Sequence, residues 1–150
     1  MAHTFTSLLT HVIFSTKDRA PCIKAALKPR LFAYLGGIVR ELKGKAFAVN
    51  GTSDHAHMLI SLPPSTAVSD AVRVIKANSS GWVHELGAGY RTFAWQIGYG
   101  AFSVSQSNMS AVIKYIETQE EHHRKASFTE ELVAFLKKHG IEYDERYIWE

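Results

Sequence analysis

The chain has 150 residues, 46% of them apolar and 21% charged, which is the make-up of one ordinary globular domain over residues 1–150 with enough chain to bury a core. No apolar run approaches a membrane span, and the N-terminus lacks a signal peptide's basic-then-apolar pattern. The single cysteine, Cys22, excludes an internal disulfide and a thiolate metal site, so a cytoplasmic protein without a membrane partner is expected. A net charge of +3 permits a nucleic-acid partner without demanding one.

Ser7 to Ser15 is β-branched and aromatic enough for a first strand, followed by a polar, partly basic loop carrying Lys17 and Arg19. From about Ile23 to Leu42 the apolar spacing is helical, and Gly36-Gly37 within it suggests close packing on a sheet. Lys45 to Val49 is expected as the second strand, joined through an Asn50-Gly51 turn to a third over Asp54 to Leu62. Ser65 or Thr66 is expected to cap a helix from Val68 to His84, on which Arg73 and Lys76 share an edge. Phe93 to Ser105 reads as the remaining strand or strand pair. Asn108 or Ser110 then caps a helix from Met109 to Lys125. A last helix runs from about Thr129 to His139 and is closed by Gly140, and the aromatic tail from Ile141 to Glu150 is expected to dock on the body or on another subunit. The order of elements predicts an α+β fold: an antiparallel sheet with helices packed mainly on one face, leaving the other free to build a site.

Two constellations carry chemistry. In the third strand, His55, His57, Leu59 and Ser61 fall on one face, and Ala56, Met58, Ile60 and Leu62 form a wholly apolar opposite face. Two imidazoles projecting side by side from a stiff strand can hold one metal ion, although such a pair is also met as plain surface residues. On the helix from Met109, Tyr115 and Gln119 are four apart and stack at the border of the apolar arc of Met109, Val112, Ile113 and Ile116. By itself such a tyrosine reads as an amphipathic side chain with its hydroxyl in water.

His55-Ala56-His57, set between Asn50-Gly51 and Pro63-Pro64, resembles the His-hydrophobic-His strand of the HUH nuclease superfamily. The run from Tyr115 through Gln119 to His122 and His123 resembles the tyrosine helix of that superfamily's small single-tyrosine transposases, the enzymes of simple bacterial insertion sequences that move as single-stranded DNA. His11 to Arg19 and Trp95 to Ser105 also look like that family's first and later strands, so the likeness spans nearly the whole chain.

The resemblance implies a ferredoxin-like HUH fold in which His55, His57 and Gln119 bind a divalent metal. That donor set suits Mn2+, with Mg2+ as the alternative in the cell. It implies Tyr115 as the nucleophile, a 5′-phosphotyrosine intermediate, and cleavage and rejoining of single-stranded DNA that carries hairpins. It also implies a homodimer, in which the tyrosine helix of one subunit can complete the site of the other. Ser103 to Ser110 has the composition of the joint this needs.

Lys17, Arg19, Arg73 and Lys76, with Asn78 and Ser80 as neutral phosphate partners, are the DNA-binding candidates. Trp82 and Phe102 are read first as core residues and second as platforms for a base. His122 and His123 are read first as solvated helix-end residues, with an additional ligand or a DNA contact as the alternative. No glycine loop that would cradle a nucleotide cofactor is seen.

Three other accounts remain at this stage. One is a domesticated relative that binds or nicks repeated palindromic hairpins without mobility. Another is a metal-dependent phosphodiesterase that uses water, and the third a ligand-binding domain without metal.

Overall fold

The alternating segments of the sequence pair into one antiparallel sheet. The computed structural model describes residues 3–122 and 126–148. Strands β1 (Leu9–Ser15), β2 (Lys45–Gly51), β3 (His55–Ser61) and β4 (Gly100–Ser103) lie in the order β2-β3-β1-β4. β1 is therefore flanked by β3 and β4, with Ile13 opposite His57 on one side and Gly100 on the other.

Period-2 alternation sends each strand's residues to two different cores. Val12, Phe14, Ala56, Met58 and Ile60 meet the long helices α1 (Lys28–Glu41) and α2 (Val68–His84) in the larger one. Val12, Phe14, Met58 and Ile60, all fully buried, contribute about 1.5–3 kcal/mol each. On the opposite face, Leu9 and Leu59 close on Ile116 of α3 (Met109–Glu117), and Ile13 and Phe102 close on Phe128 and Leu132 of α5 (Phe128–Lys138). The expected α+β architecture is present, with the two long helices on one face. The histidine face is not left open, however, because the shorter C-terminal helices cover it and His55 and His57 are both fully buried.

α2 spans Val68–His84 as its periodicity predicts, but its cap is Ala67, and no side chain of Ser65 or Thr66 bonds its first turn. Likewise α3 starts after Asn108 without a side-chain cap bond. α1 begins at Lys28, later than the apolar spacing suggests, because Pro29 has no N–H to donate and belongs in a first turn.

The expected helix from Met109 to Lys125 is interrupted. α3 ends at Glu117, Thr118 (φ −107°, ψ 28°) breaks the ladder, and α4 (Gln119–His122) follows; residues 123–125 lie outside the described residues. The last helix closes at His139 and at Gly140 (φ 65°) much as expected. In the tail Ile148 packs against the smaller core, whereas Ile141 and Tyr147 are exposed; Trp149 and Glu150 lie outside the described residues. Phe93 to Ser105 supplies one short strand, β4, and a single bridge from Trp95 to Thr16. No helix among the described residues is long and apolar enough to cross a membrane.

Two glycine expectations change. Asn50 and Gly51 are the last residues of β2, paired with His57 and Ala56, and the chain turns over Thr52–Asp54 instead. Gly51 serves close approach, since a Cβ there would stand 2.1 Å from the His55 carbonyl oxygen. Gly36 is less constrained: a Cβ would meet nothing nearer than 3.6 Å, so close packing on the sheet does not require it. Gly51→Ala is expected to lower stability by about 1–3 kcal/mol through forced backbone movement. Gly36→Ala should be neutral or gain up to about 1 kcal/mol of helix propensity. Urea denaturation of the two variants beside the parent checks both.

Candidate active site

β3 delivers both imidazoles to one face, with ring centroids 5.3 Å apart. The His55 Nδ1 lies 2.7 Å from Asp54 Oδ1 and 2.9 Å from Thr52 Oγ1. A carboxylate accepts, so Nδ1 carries a proton, and in the neutral ring Nε2 then presents a lone pair to the interior. That lone pair faces Gln119 Oε1 at 3.2 Å, an end of the amide set by Gln119 Nε2 donating to the Tyr115 carbonyl at 3.2 Å. In that form two acceptors point at one another in a buried place, an arrangement that a cation between them would satisfy.

The strongest feature of the site was not singled out from the sequence. Glu131 of α5 is only 6% exposed, and its Oε1 lies 2.8 Å from His57 Nε2 and 3.8 Å from His55 Nε2. Its other oxygen accepts from the Tyr115 hydroxyl. Phe128, Glu131, Leu132 and Phe135 share one stripe of α5 at i, i+3, i+4 and i+7, so a carboxylate in the middle of an apolar stripe was the available signal. β1 supplies a second missed residue: His11 Nε2 is 2.7 Å from His57 Nδ1. Burial, followed by the neighbouring His57, pushes His11 down to about 3, so it is neutral and can either give a proton to His57 Nδ1 or accept one from it. When His57 Nε2 binds a cation, its Nδ1 must keep the proton and His11 accepts it.

His55 Nε2, His57 Nε2 and a Glu131 carboxylate oxygen lie within 4.8 Å of one another. Ligands at about 2.1 Å from a common ion stand about 3 Å apart at right angles and about 4.2 Å apart when opposite; the His57–Glu131, His55–Gln119 and His55–Glu131 separations of 2.8, 3.2 and 3.8 Å are close to that range. The residues present therefore fit a small divalent cation, with the carboxylate as an additional donor to the set His55, His57 and Gln119.

Tyr115 is half-buried beside this cluster, at one wall of a groove of about 700 Å³ between α3 and α5 that His11, Val112, Glu131 and Phe135 also line. Desolvation first, then the Glu131 hydrogen bond and charge, raise its phenol well above the ordinary value. Of the remaining candidates, Arg73, Lys76 and Ser80 line a second groove of about 430 Å³ with Trp95, Ile97 and Tyr99. Lys17 reaches that groove's edge through its backbone N–H, which donates to the Ala94 carbonyl. Arg19 sits two residues on in a left-handed conformation (φ 55°), and Asn78 is exposed on α2. Trp82 stacks on Tyr34 at 4.6 Å and Phe102 is buried against Phe135, so both pack within the protein. His123 lies outside the described residues, and the side chain of His122 is not described either.

A buried His-x-His strand on a four-stranded antiparallel sheet, with a tyrosine helix laid across it, defines the class of HUH-type single-tyrosine transposases. Residues 4–119 match the family model described as "Transposase IS200 like", and the chain belongs to that family. No curated protein matches the chain. Among solved structures, it is similar to a transposase candidate from Deinococcus radiodurans R1, with 21% identity, 79% of this chain and 96% of that chain covered, and a TM-score of 0.62. A REP-associated tyrosine transposase bound to a REP hairpin is also similar, with 14% identity, 82% and 74% covered, and a TM-score of 0.60. Glu131 lies beyond the segment that the family model matches.

Calorimetric titration with Mn2+ tests the ligand set. One site is expected, lost in His55→Ala and His57→Ala and weakened at least about tenfold in Glu131→Gln. At a hundredfold excess over its dissociation constant the ion should add about 2.7 kcal/mol of stability, absent from the histidine variants. Unchanged binding in Glu131→Gln would restrict the ligands to the histidines and Gln119.

Proposed function

We propose that this chain is a metal-dependent tyrosine transposase that cleaves and rejoins hairpin-bearing single-stranded DNA through a 5′-phosphotyrosine intermediate, working in the cytoplasm as a homodimer. The observation that carries the proposal is the placement of the Tyr115 hydroxyl on the carboxylate that also meets His57. His55, His57 and Gln119, with Glu131, would hold Mn2+ or Mg2+. When bound, such an ion polarises a phosphodiester and offsets the charge gathered at the reacting phosphorus.

The chain's own residues supply the other requirements. A phenol is a weak nucleophile at neutral pH, and Tyr115 is weaker still in its half-buried place beside a carboxylate. Glu131 is the group positioned to take its proton as the oxygen attacks phosphorus. The 3′ oxygen leaves with the electron pair of the broken P–O bond, takes a proton from water and becomes a free hydroxyl. A phosphotyrosine keeps the energy of the phosphodiester, so a later 3′ hydroxyl can displace Tyr115 and rejoin strands without a nucleotide cofactor. The groove between α3 and α5 gives a strand its approach to Tyr115.

The hairpin would lie against Lys17, Arg19, Arg73 and Lys76, with Asn78 and Ser80 on phosphates. The hairpin in the complex of the REP-associated relative also supports a second form of the proposal: a domesticated enzyme that binds or nicks repeated palindromes and no longer moves. Flanking genomic DNA with matching hairpin ends separates the two forms.

The test is incubation with labelled single- and double-stranded DNA carrying the chain's own flanking hairpins, with Mn2+ or Mg2+, followed by a denaturing gel. A metal-dependent adduct on single strands only, absent from Tyr115→Phe, is the expected outcome. Cleavage without an adduct would make water the nucleophile, and binding with neither would leave a hairpin-binding protein.

Hairpin binding should also depend on pH through Lys76. Desolvation lowers its ammonium to about 8, so it is charged below that value and loses its charge as pH rises through it. Affinity measured by fluorescence anisotropy should fall between pH 7 and 9 in the parent and stay level in Lys76→Arg, whose guanidinium keeps its charge.

A further inference from the structure

The two histidines of the site are backed by different chemistry. His55 Nδ1 meets a carboxylate, Asp54, which only accepts, so that nitrogen keeps a proton whatever happens at Nε2. His57 Nδ1 meets a second imidazole, through His11 Nε2 at 2.7 Å. An imidazole nitrogen either donates or accepts, so this partner dictates no tautomer.

The register of the sheet sets the pair. His11 of β1 stands opposite Leu59, and His57 is two residues from Leu59 along β3, so the two rings share a face as diagonal neighbours. Their centroids are 5.0 Å apart, and both side chains are buried. The other rings around His11 are those of Phe102, Tyr115 and Phe135. Among the described residues, the one hydrogen bond of its side chain is to His57. An apolar side chain would pack in such surroundings without the cost of desolvating an imidazole. What histidine adds at this position is the bond to His57.

Without an ion, an ionised Glu131 only accepts, so a neutral His57 donates Nε2–H to it across 2.8 Å and turns the lone pair of Nδ1 to His11 Nε2–H. An ion on His57 Nε2 displaces that proton. Nδ1 must then carry one, and the acceptor it needs is the same His11 nitrogen. In the balanced change, the Nε2 proton of His57 leaves to solvent and the Nε2 proton of His11 moves to His57 Nδ1. His11 Nδ1 takes up a proton from water in the groove that His11 lines. Two N–H bonds break, two form, and neither ring changes charge. A carboxylate in place of His11 could only accept, and would set a second negative charge near Glu131.

We propose that His11 is a positioning residue that lets His57 exchange its ring proton between Nε2 and Nδ1, so that His55 is a preset ligand and His57 one that opens as the ion arrives. The proposal rests on the metal-dependent reading above and adds how one of its ligands is made ready.

Two measurements on the full chain decide it. The first takes protein with isotopically labelled histidine nitrogens and records two-bond nitrogen–proton correlation spectra, which read the tautomer of each ring, before and after saturation with Mg2+. The expected spectra have His57 and His11 protonated on Nε2 without the ion and on Nδ1 with it, while His55 keeps Nδ1–H throughout. Tautomers of His57 and His11 that stay the same on saturation overturn the proposal.

The second is calorimetric titration of His11→Phe and His11→Gln with Mn2+. Phenylalanine keeps a ring without a nitrogen, whereas the glutamine amide offers both a donor and an acceptor. Affinity is expected to fall at least about tenfold in His11→Phe and to be mostly kept in His11→Gln. Parent affinity in His11→Phe refutes the role. So does an equal loss in both variants with an equal drop in the melting temperature of the ion-free protein, which a merely structural residue would give. If the parent itself takes up neither ion, the metal-dependent reading falls and takes this proposal with it, an outcome distinct from an ion that binds without moving the protons.

Discussion

A carboxylate buried among two imidazoles and a phenol is the constraint on which the rest of this structure depends. Placing Glu131 at 6% exposure without partners would cost several kcal/mol. Its oxygens are therefore occupied by His57 on one side and Tyr115 on the other. Because these groups come from a strand and two helices, satisfying one carboxylate fixes how all three elements sit. The smaller cores around Leu59 and Phe102 do the apolar part of the same task.

The sheet divides labour between its faces. One face meets α1 and α2 in the larger apolar core, which gives the molecule a rigid platform. The opposite face holds a polar cluster roofed by α3 and α5, with a groove between those helices that Tyr115 and Glu131 line. His11, kept neutral by burial, shares a hydrogen bond with His57 Nδ1 on the side away from Glu131.

Asn50 shows how a single polar side chain can couple two otherwise separate elements. A helix that stops early leaves carbonyls without donors, and a strand edge next to it has a side chain to spare. The pairing joins the C-terminal end of α3 to β2, one turn from the Gln119 amide that donates to the Tyr115 carbonyl.

Local rules of the sequence were enough for much of this. Alternation in β3 places His55 and His57 together, because successive strand residues must point to opposite faces. Helical spacing places Tyr115 near Gln119 in the same way, and the limits of α2 follow from its periodicity. Local rules failed where a remote partner outweighed them. The Asn50-Gly51 pair, a strong turn signal, was drawn into β2 because Gly51 allows the His55 carbonyl to approach. Thr118 broke a helix whose periodicity runs on, its carbonyls being taken by Asn50.

By itself, then, the sequence determined the sheet-and-helix architecture, the face the histidines share and the spacing of tyrosine and glutamine, all of which depend on neighbours a few residues apart. Only the tertiary structure decided that Glu131, 74 positions from His57, and His11, 46 positions away, belong to the same cluster. No periodicity reaches across such separations. Which helix docks over which histidine depends on the packing of every element between them.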